Sequence, residues 1–168
     1  RVLFRSHPDY PGAPITLRQL GQHRSGLAGN APFDYEDYPK PDPDEALDPF
    51  LQEWAGPDGN WRDAGPGESE AYSNLGAALA ALVVEKATGT PFDEYCQTHI
   101  FEPIGMTDTA WRFGAFDESQ KRRVQVPSDG DGRVLEHYGF NDYPSGLLRS
   151  TATDFARLMM ALMDEGDP

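Results

Sequence analysis

The sequence predicts a mostly α-helical fold with one small β-hairpin. Between Leu75 and Ala87 the chain is apolar except at Glu85 and Lys86. A helix that is apolar on nearly every face is a central one that other elements cover. Four further segments repeat apolar residues at helical spacing, and no alternation of strand and helix patterns is present. With 17 Gly and 15 Pro, the chain is expected to join five helices by long ordered loops.

Capping residues and glycines set the boundaries of the first two helices. Thr16 and Gln19 form a capping-box pattern, so a short helix is predicted from about residue 17 to residue 23, with Gly26 able to end it. Residues 28–43, which are rich in Pro, Asp and Tyr, are predicted to be a loop. A second helix is predicted from Asp44 to the Gly56-Pro57 pair, with apolar residues at Ala46, Leu47, Phe50, Leu51 and Trp54.

The central helix and the helix after it also carry end signals. Asn74 is the predicted N-cap of the central helix, which Thr88 and Gly89 close. Thr90 is the predicted N-cap of the next helix, with Pro91 at its first position. The buried face of this next helix is predicted to contain Phe92, Tyr95, Cys96 and Ile100.

The last third of the chain predicts the hairpin and one more helix. Residues 124–126 and 133–135 flank the turn-forming segment 128–132, which favours a small β-hairpin. Residues 107–123 carry no clear pattern. Thr151 and Asp154 are placed as a capping box at the start of the last helix. The buried stripe predicted for that helix consists of Phe155, Leu158, Met159 and Leu162.

Composition excludes several classes of function. The 168 residues include 28 acidic and 14 basic side chains, which gives a net charge of -14. Such a surface repels phosphate backbones and anionic lipids, so no nucleic-acid partner is expected. No apolar run is long enough to predict a membrane segment. The single cysteine, Cys96, cannot form an internal disulfide and is expected to be a small core residue. No pattern indicates the oligomeric state.

Neither a cofactor nor a metal site is predicted. The only cysteine gives no zinc pattern, and none of the four histidines shows ligand spacing with another: His7, His23, His99 and His137. A phosphate-binding glycine loop and a Gly-x-Ser-x-Gly nucleophile elbow are both absent. His23 and Ser25 are interpreted as part of a helix end, since residues this close at a helix end rarely face each other.

The segment Tyr72-Ser73-Asn74 is the remaining candidate for chemistry. It places a phenol, a hydroxyl and an amide directly before the central apolar helix. One interpretation is purely structural, with Asn74 as a helix cap and Tyr72 as a half-buried aromatic. The other is that the segment is one part of an active site whose other parts lie elsewhere.

Four ordered segments carry a resemblance to a known family. Tyr72-Ser73-Asn74-Leu75-Gly76, preceded by Pro66-Gly67, resembles the second motif region of the serine β-lactamase and penicillin-binding-protein superfamily. The closest likeness is to the branch that contains class C β-lactamases, D,D-peptidases and β-lactamase-like esterases. Residues 15–27, 85–106 and 149–156 resemble the same branch in the same order, so the likeness runs from about residue 8 to residue 166.

Three positions depart from the family pattern, and one of them is Gly21, which stands where the family commonly has Leu. Arg24 stands where the family's His-Thr-Ser-Gly segment has Thr. Leu147 stands where the family usually has a second Gly before the last helix, which weakens the expectation that this loop approaches a ligand closely.

The resemblance implies both a fold and a mechanism. The fold would be the helical subdomain of the β-lactamase/transpeptidase-like α+β fold, without most of its central antiparallel sheet. Residues 1–168 would be a single partial domain, truncated at both ends. In this family a Ser-x-x-Lys pair supplies the nucleophile and a cation, the Tyr of Tyr-x-Asn moves the proton, and the Asn orients the lysine and the substrate amide. Tyr72 and Asn74 are therefore the candidate catalytic residues.

The nucleophile motif itself is absent from the chain. The residues three positions before Lys40, Lys86 and Lys121, the only lysines, are Asp37, Val83 and Glu118. We therefore expect a serine hydrolase as the parent protein and no turnover by these 168 residues alone. Expected substrates are a small β-lactam, a D-Ala-containing peptide or a short ester. The alternative is a non-catalytic β-lactamase-like binding or scaffold domain. The resemblance favours a periplasmic or extracellular location, which no segment of the chain indicates by itself.

Overall fold

The computed structural model describes residues 6–29, 31 and 40–164. The predictions for the chain ends, and for much of the loop over residues 28–43, fall outside these residues. The described part contains six α-helices: α1 (Leu17–Gly21), α2 (Leu47–Trp54), α3 (Asn74–Thr88), α4 (Phe92–Cys96), α5 (Glu118–Lys121) and α6 (Ala152–Met163). A π-helical turn, Gln97–Phe101, directly continues α4, and two 3-10 turns cover Phe113–Ala115 and Tyr143–Ser145.

Helix α3 is the centre of the fold, as its apolar sequence predicts. It packs against α1, α2, α4 and the 3-10 turn that contains Tyr143. Its core side chains are almost fully excluded from solvent because neighbours cover it on several sides: Leu75, Ala78, Leu79, Ala81 and Leu82. Burial of this apolar surface is the main favourable contribution to the stability of the helical cluster.

The ends of the helices confirm some capping predictions and correct others. Thr16 and Gln19 form the predicted capping box at α1. The N-cap of α3 is Ser73, not Asn74, because the Ser73 hydroxyl is the group that accepts the Gly76 N–H. Asn74 is the first residue of α3 instead. Similarly, Pro91 and not Thr90 occupies the N-cap position of α4.

The capping box predicted at the last helix is only half present. The Thr151 hydroxyl accepts the Asp154 N–H at 3.1 Å. The Asp154 carboxylate does not reach back, because it is buried and accepts the Asp108 N–H at 2.8 Å and the Thr109 hydroxyl at 2.9 Å. This carboxylate therefore ties α6 to the segment that follows α4.

The prediction that the apolar stripe of α6 is buried is wrong for three of its four side chains. Only Leu158 of that stripe packs against a core cluster, the small one formed by Cys96, Phe101 and Met106. The other three side chains are 50% (Phe155), 55% (Met159) and 71% (Leu162) exposed, because no described element lies over this face. The face predicted for α4 is likewise only partly buried, with Cys96 inside and Ile100 exposed.

The predicted hairpin is reduced to a single antiparallel bridge between Ser128 and Val134. The turn itself is present, since the Asp129 carboxylate accepts the Arg133 N–H at 2.8 Å. No strand forms within the described residues. The physical reason is that Val126 and Val134 are exposed and have no layer to pack against, and an isolated two-stranded hairpin is at best marginally stable.

The segment without a clear sequence pattern, residues 107–123, contains the short helix α5. Asp117 caps it, and Asp117 with Gln120 forms a reciprocal capping box. The Asp117-x-x-Gln120 spacing was a usable signal, but a single helical turn has too few apolar positions to show periodicity.

Candidate active site

Tyr72 lies in a short extended segment that two other parts of the chain hold in place. On one side, the carbonyl of His23 accepts the Ala71 N–H at 2.7 Å, and the His23 Nδ1 accepts the Ser73 N–H at 3.2 Å. On the other side, the Ser73 hydroxyl donates to the carbonyl of Gly29 at 3.1 Å. The residues before and after Tyr72 are therefore both fixed to the rest of the fold.

The three side chains of the motif occupy different environments. Ser73 is buried, and its hydroxyl caps α3 by accepting the Gly76 N–H at 3.0 Å. Tyr72 is 64% exposed, and Asn74 is partly exposed. The backbone of Ser73 is extended and its hydroxyl points inward, and the side-chain oxygen Oδ1 of Asn74 is also buried. The exposed Tyr72 therefore directly precedes the buried cap of the central helix.

The ring of His23 packs on the ring of Tyr72. Their centroids are 4.6 Å apart and the planes are tilted by 40°. This contact is not predicted from the sequence, in which His23 is interpreted as part of a helix end. Spacing along the chain gives no signal for it, because His23 and Ser73 are 50 positions apart.

None of the three lysines supplies a cation to Tyr72. Lys40 pairs with Asp44 at 2.8 Å, Lys121 pairs with Glu118 at 2.9 Å, and Lys86 pairs with Asp48. Pairing with Lys86 is also the main reason that the pKa of the Asp48 carboxyl lies below its usual range. All three lysines therefore serve surface ion pairs.

Tyr143, Asp93 and Arg112 form a structural network that does not include Tyr72. Burial raises the pKa of the Tyr143 phenol, whose hydroxyl donates to Asp93 at 3.2 Å. Arg112 donates to the other oxygen of Asp93 at 2.6 Å. This network joins α4 to the 3-10 turn that packs on α3, which accounts for its burial without a catalytic role.

Leu147 explains one departure from the family pattern. Its side chain is buried in the main core cluster around α3, and its N–H donates to the Tyr143 carbonyl at 3.0 Å. A glycine at this position would leave that part of the core unfilled. The chain therefore uses this position for packing.

The described residues form neither a metal-binding cluster nor a membrane-spanning helix. Within residues 6–29, 31 and 40–164, no three His, Cys, Asp or Glu side chains cluster in a way that could hold a metal ion. Among the helices of that same region, none combines the length and the apolar character needed to cross a membrane.

Comparisons with known proteins place the chain in a family. The model of the family described as Beta-lactamase matches residues 6–168. The chain is 31% identical over 130 residues to the D-alanyl-D-alanine-carboxypeptidase/endopeptidase AmpH of Escherichia coli (strain K12), which covers 73% of this chain and 30% of that protein. It is 26% identical over 179 residues to the lovastatin esterase of Penicillium rubens, covering 92% of this chain and 41% of the esterase.

A solved structure agrees at the level of the fold. A class C β-lactamase superposes with a TM-score of 0.69 at 16% sequence identity, over 97% of this chain and 44% of the β-lactamase. The chain thus spans less than half the length of these three proteins. The family model covers nearly all of the sequence, so the chain belongs to the β-lactamase family of the serine β-lactamase and penicillin-binding-protein superfamily.

Proposed function

We propose that the protein containing this segment is a serine hydrolase that works through an acyl-enzyme, with Tyr72 moving the proton and Asn74 orienting the substrate amide. One observation carries the proposal. The Tyr-x-Asn motif projects its phenol outward from a backbone that is fixed on both sides, at the start of the central helix. Proton transfer requires such fixed placement, because small displacements of a catalytic group cost much of its effect.

The chemistry also defines what this chain does not supply. A tyrosine titrates near pH 10 when no charge is close, so a phenolate that works near neutral pH needs a neighbouring cation. The three lysines are engaged in ion pairs with aspartates and a glutamate. We therefore assign the serine nucleophile and the lysine of Ser-x-x-Lys to residues of the parent protein beyond these 168.

The proposed substrate has an acyl carbonyl that a serine can attack. A β-lactam, a D-Ala-containing peptide and a short ester all meet this requirement and differ in the leaving group. The named relatives include a carboxypeptidase and an esterase, so the family tolerates different leaving groups. Side-by-side turnover of nitrocefin, a D-Ala-D-Ala peptide and p-nitrophenyl acetate by the parent protein separates the three classes.

The decisive experiment combines the parent sequence with two variants. Residues upstream of Arg1 should contain Ser-x-x-Lys, and a fluorescent penicillin or a fluorophosphonate should label that serine. Tyr72→Phe should abolish turnover of whichever substrate is hydrolysed, because the ring remains and only the proton-transferring oxygen is removed. Tyr95→Phe is the matched control, since Tyr95 packs on His99 in another part of the fold. Full activity of Tyr72→Phe would refute the role of Tyr72.

Two further outcomes concern the whole protein and the segment. A parent protein that takes up neither probe and hydrolyses none of the three substrates would instead be a non-catalytic binding or scaffold relative. The isolated 168-residue chain should hydrolyse neither nitrocefin nor p-nitrophenyl acetate. Turnover by that chain, lost in Tyr72→Phe, would contradict the assignment of the nucleophile to residues beyond it.

A further inference from the structure

We propose that His23 is a positioning residue for Tyr72, which fixes the direction of the phenol through both its backbone and its ring. The inference rests on the proposed function, in which Tyr72 moves the proton. The orientation of the Tyr72 phenol then depends on a second residue, which comes from a different part of the chain.

The backbone of His23 is the first observation. Its φ of 55° makes it the one residue other than glycine with a positive φ among the described residues. A left-handed conformation is unfavourable for a residue with a side chain, so it persists where surrounding contacts impose it, and such residues concentrate at functional sites. The conformation itself belongs to the end of α1, where the Arg24 N–H donates to the Gln19 carbonyl at 2.7 Å and the His23 N–H to the Leu20 carbonyl at 3.1 Å. This turn presents the carbonyl and the ring nitrogen of His23 to Ala71 and Ser73, the two residues that flank Tyr72.

The ring of His23 is the second observation. A tyrosine side chain that is 64% exposed would sample several rotamers unless a neighbour selected one. The His23 ring, 4.6 Å away, provides that neighbour. Because Nδ1 accepts the backbone N–H of Ser73, a neutral His23 carries its proton on Nε2, and the same hydrogen bond sets the plane of the ring.

Helix termination alone does not account for these contacts. His23 follows the C-cap of α1, Gln22, at the position where glycine or asparagine commonly ends a helix. Glycine or asparagine would adopt this left-handed backbone conformation at a lower free-energy cost. Neither would give both the acceptor for the Ser73 N–H and the ring against Tyr72.

This comparison defines the variants. His23→Asn tolerates the left-handed backbone and retains a side-chain acceptor, but it removes the ring. His23→Gly retains the backbone conformation and removes both side-chain contacts. His99→Asn is the matched control, since His99 packs on Tyr95 at 4.5 Å in a similar tilted pair.

The first measurement does not depend on the turnover of a substrate. Tyrosine-ring NMR spectra of the 168-residue chain are recorded, and the Tyr72 resonance is assigned by its loss in Tyr72→Phe. In His23→Asn and His23→Gly the Tyr72 resonance should move toward its position in an unfolded peptide, while the other six tyrosines stay in place. His99→Asn should move Tyr95 alone. An unmoved Tyr72 resonance in both His23 variants would overturn the inference, and so would a uniform shift of all tyrosines in both.

The second measurement uses the parent protein. His23→Asn should lower kcat about two- to tenfold, the usual effect of losing one aromatic contact, with little change in KM. His23→Gly should lower kcat further. Unchanged kcat in both variants would overturn the positioning role, even with a shifted Tyr72 resonance. Failure of the proposed function is distinguishable, because it appears as full activity of Tyr72→Phe and does not depend on either His23 variant.

Discussion

Ser73→Ala tests the correction that the structure makes to the start of the central helix. The variant removes a hydroxyl that accepts the Gly76 N–H at 3.0 Å and donates to the Gly29 carbonyl at 3.1 Å. Losing an N-cap side chain costs about 1 kcal/mol. The second bond adds about 0.5 kcal/mol, at the low end for a hydrogen bond, because Gly29 is exposed and water can replace the hydroxyl there. The expected loss of unfolding free energy is therefore about 1.5 kcal/mol.

Urea unfolding of the 168-residue chain, followed by far-UV circular dichroism, measures this loss. With a urea dependence of about 2 kcal/mol per M, the midpoint should fall by roughly 0.7 M. Ser69→Ala is the matched control, because Ser69 lies in the same segment and its side chain makes no hydrogen bond to the described residues; its midpoint should stay within about 0.2 M of wild type. A Ser73→Ala midpoint as high as that of Ser69→Ala would refute the assignment of Ser73 as the cap.

Three other measurements follow from burial. Leu79→Ala should lower the unfolding free energy by about 2–5 kcal/mol in urea titrations, whereas Leu162→Ala, on the exposed face of α6, should stay within about 0.5 kcal/mol of wild type; equal losses would contradict the burial difference. Burial raises the pKa of the Asp142 carboxyl, so the folded state holds its proton to higher pH than the unfolded state, and this residue's contribution to stability falls as pH rises through that window. Asp142→Asn should therefore be more stable than wild type by a larger margin at pH 7 than at pH 3 in urea titrations. An equal difference from wild type at both pH values would contradict this expectation. Burial also raises the pKa of the Cys96 thiol, so a thiol reagent should modify it slowly in buffer and rapidly in urea, and fast labelling of the folded chain would contradict its place in the core.

The locations of α1–α4 and α6 could be predicted because their signals are local. The all-round apolar pattern of α3, the capping box at Thr16 and the glycine after α3 depend on residues within a few positions of each other. The Tyr72-Ser73-Asn74 motif is equally local, and with the other ordered segments it indicated the family that the comparisons then showed.

Predictions were wrong where a local sequence pattern was compatible with two different structures. Both Ser73 and Asn74 are good N-cap residues, and sequence preference alone does not choose between them. Ser73 takes the role because its hydroxyl also reaches the Gly29 carbonyl, 44 positions away. The α6 stripe has the right periodicity for a buried face, but burial requires a partner surface, and none of the described elements provides it.

The positions of α1–α4 and α6, the central place of α3 and the candidate motif for chemistry are all predictable from the sequence. Those properties follow from backbone preference and apolar spacing over a few residues. Long-range packing, by contrast, makes Ser73 the cap, pairs Lys86 with Asp48 and places the ring of His23 on that of Tyr72. The physical reason is that these contacts join residues some 40 to 50 positions apart, where the packing of helices sets the distance and spacing along the chain does not.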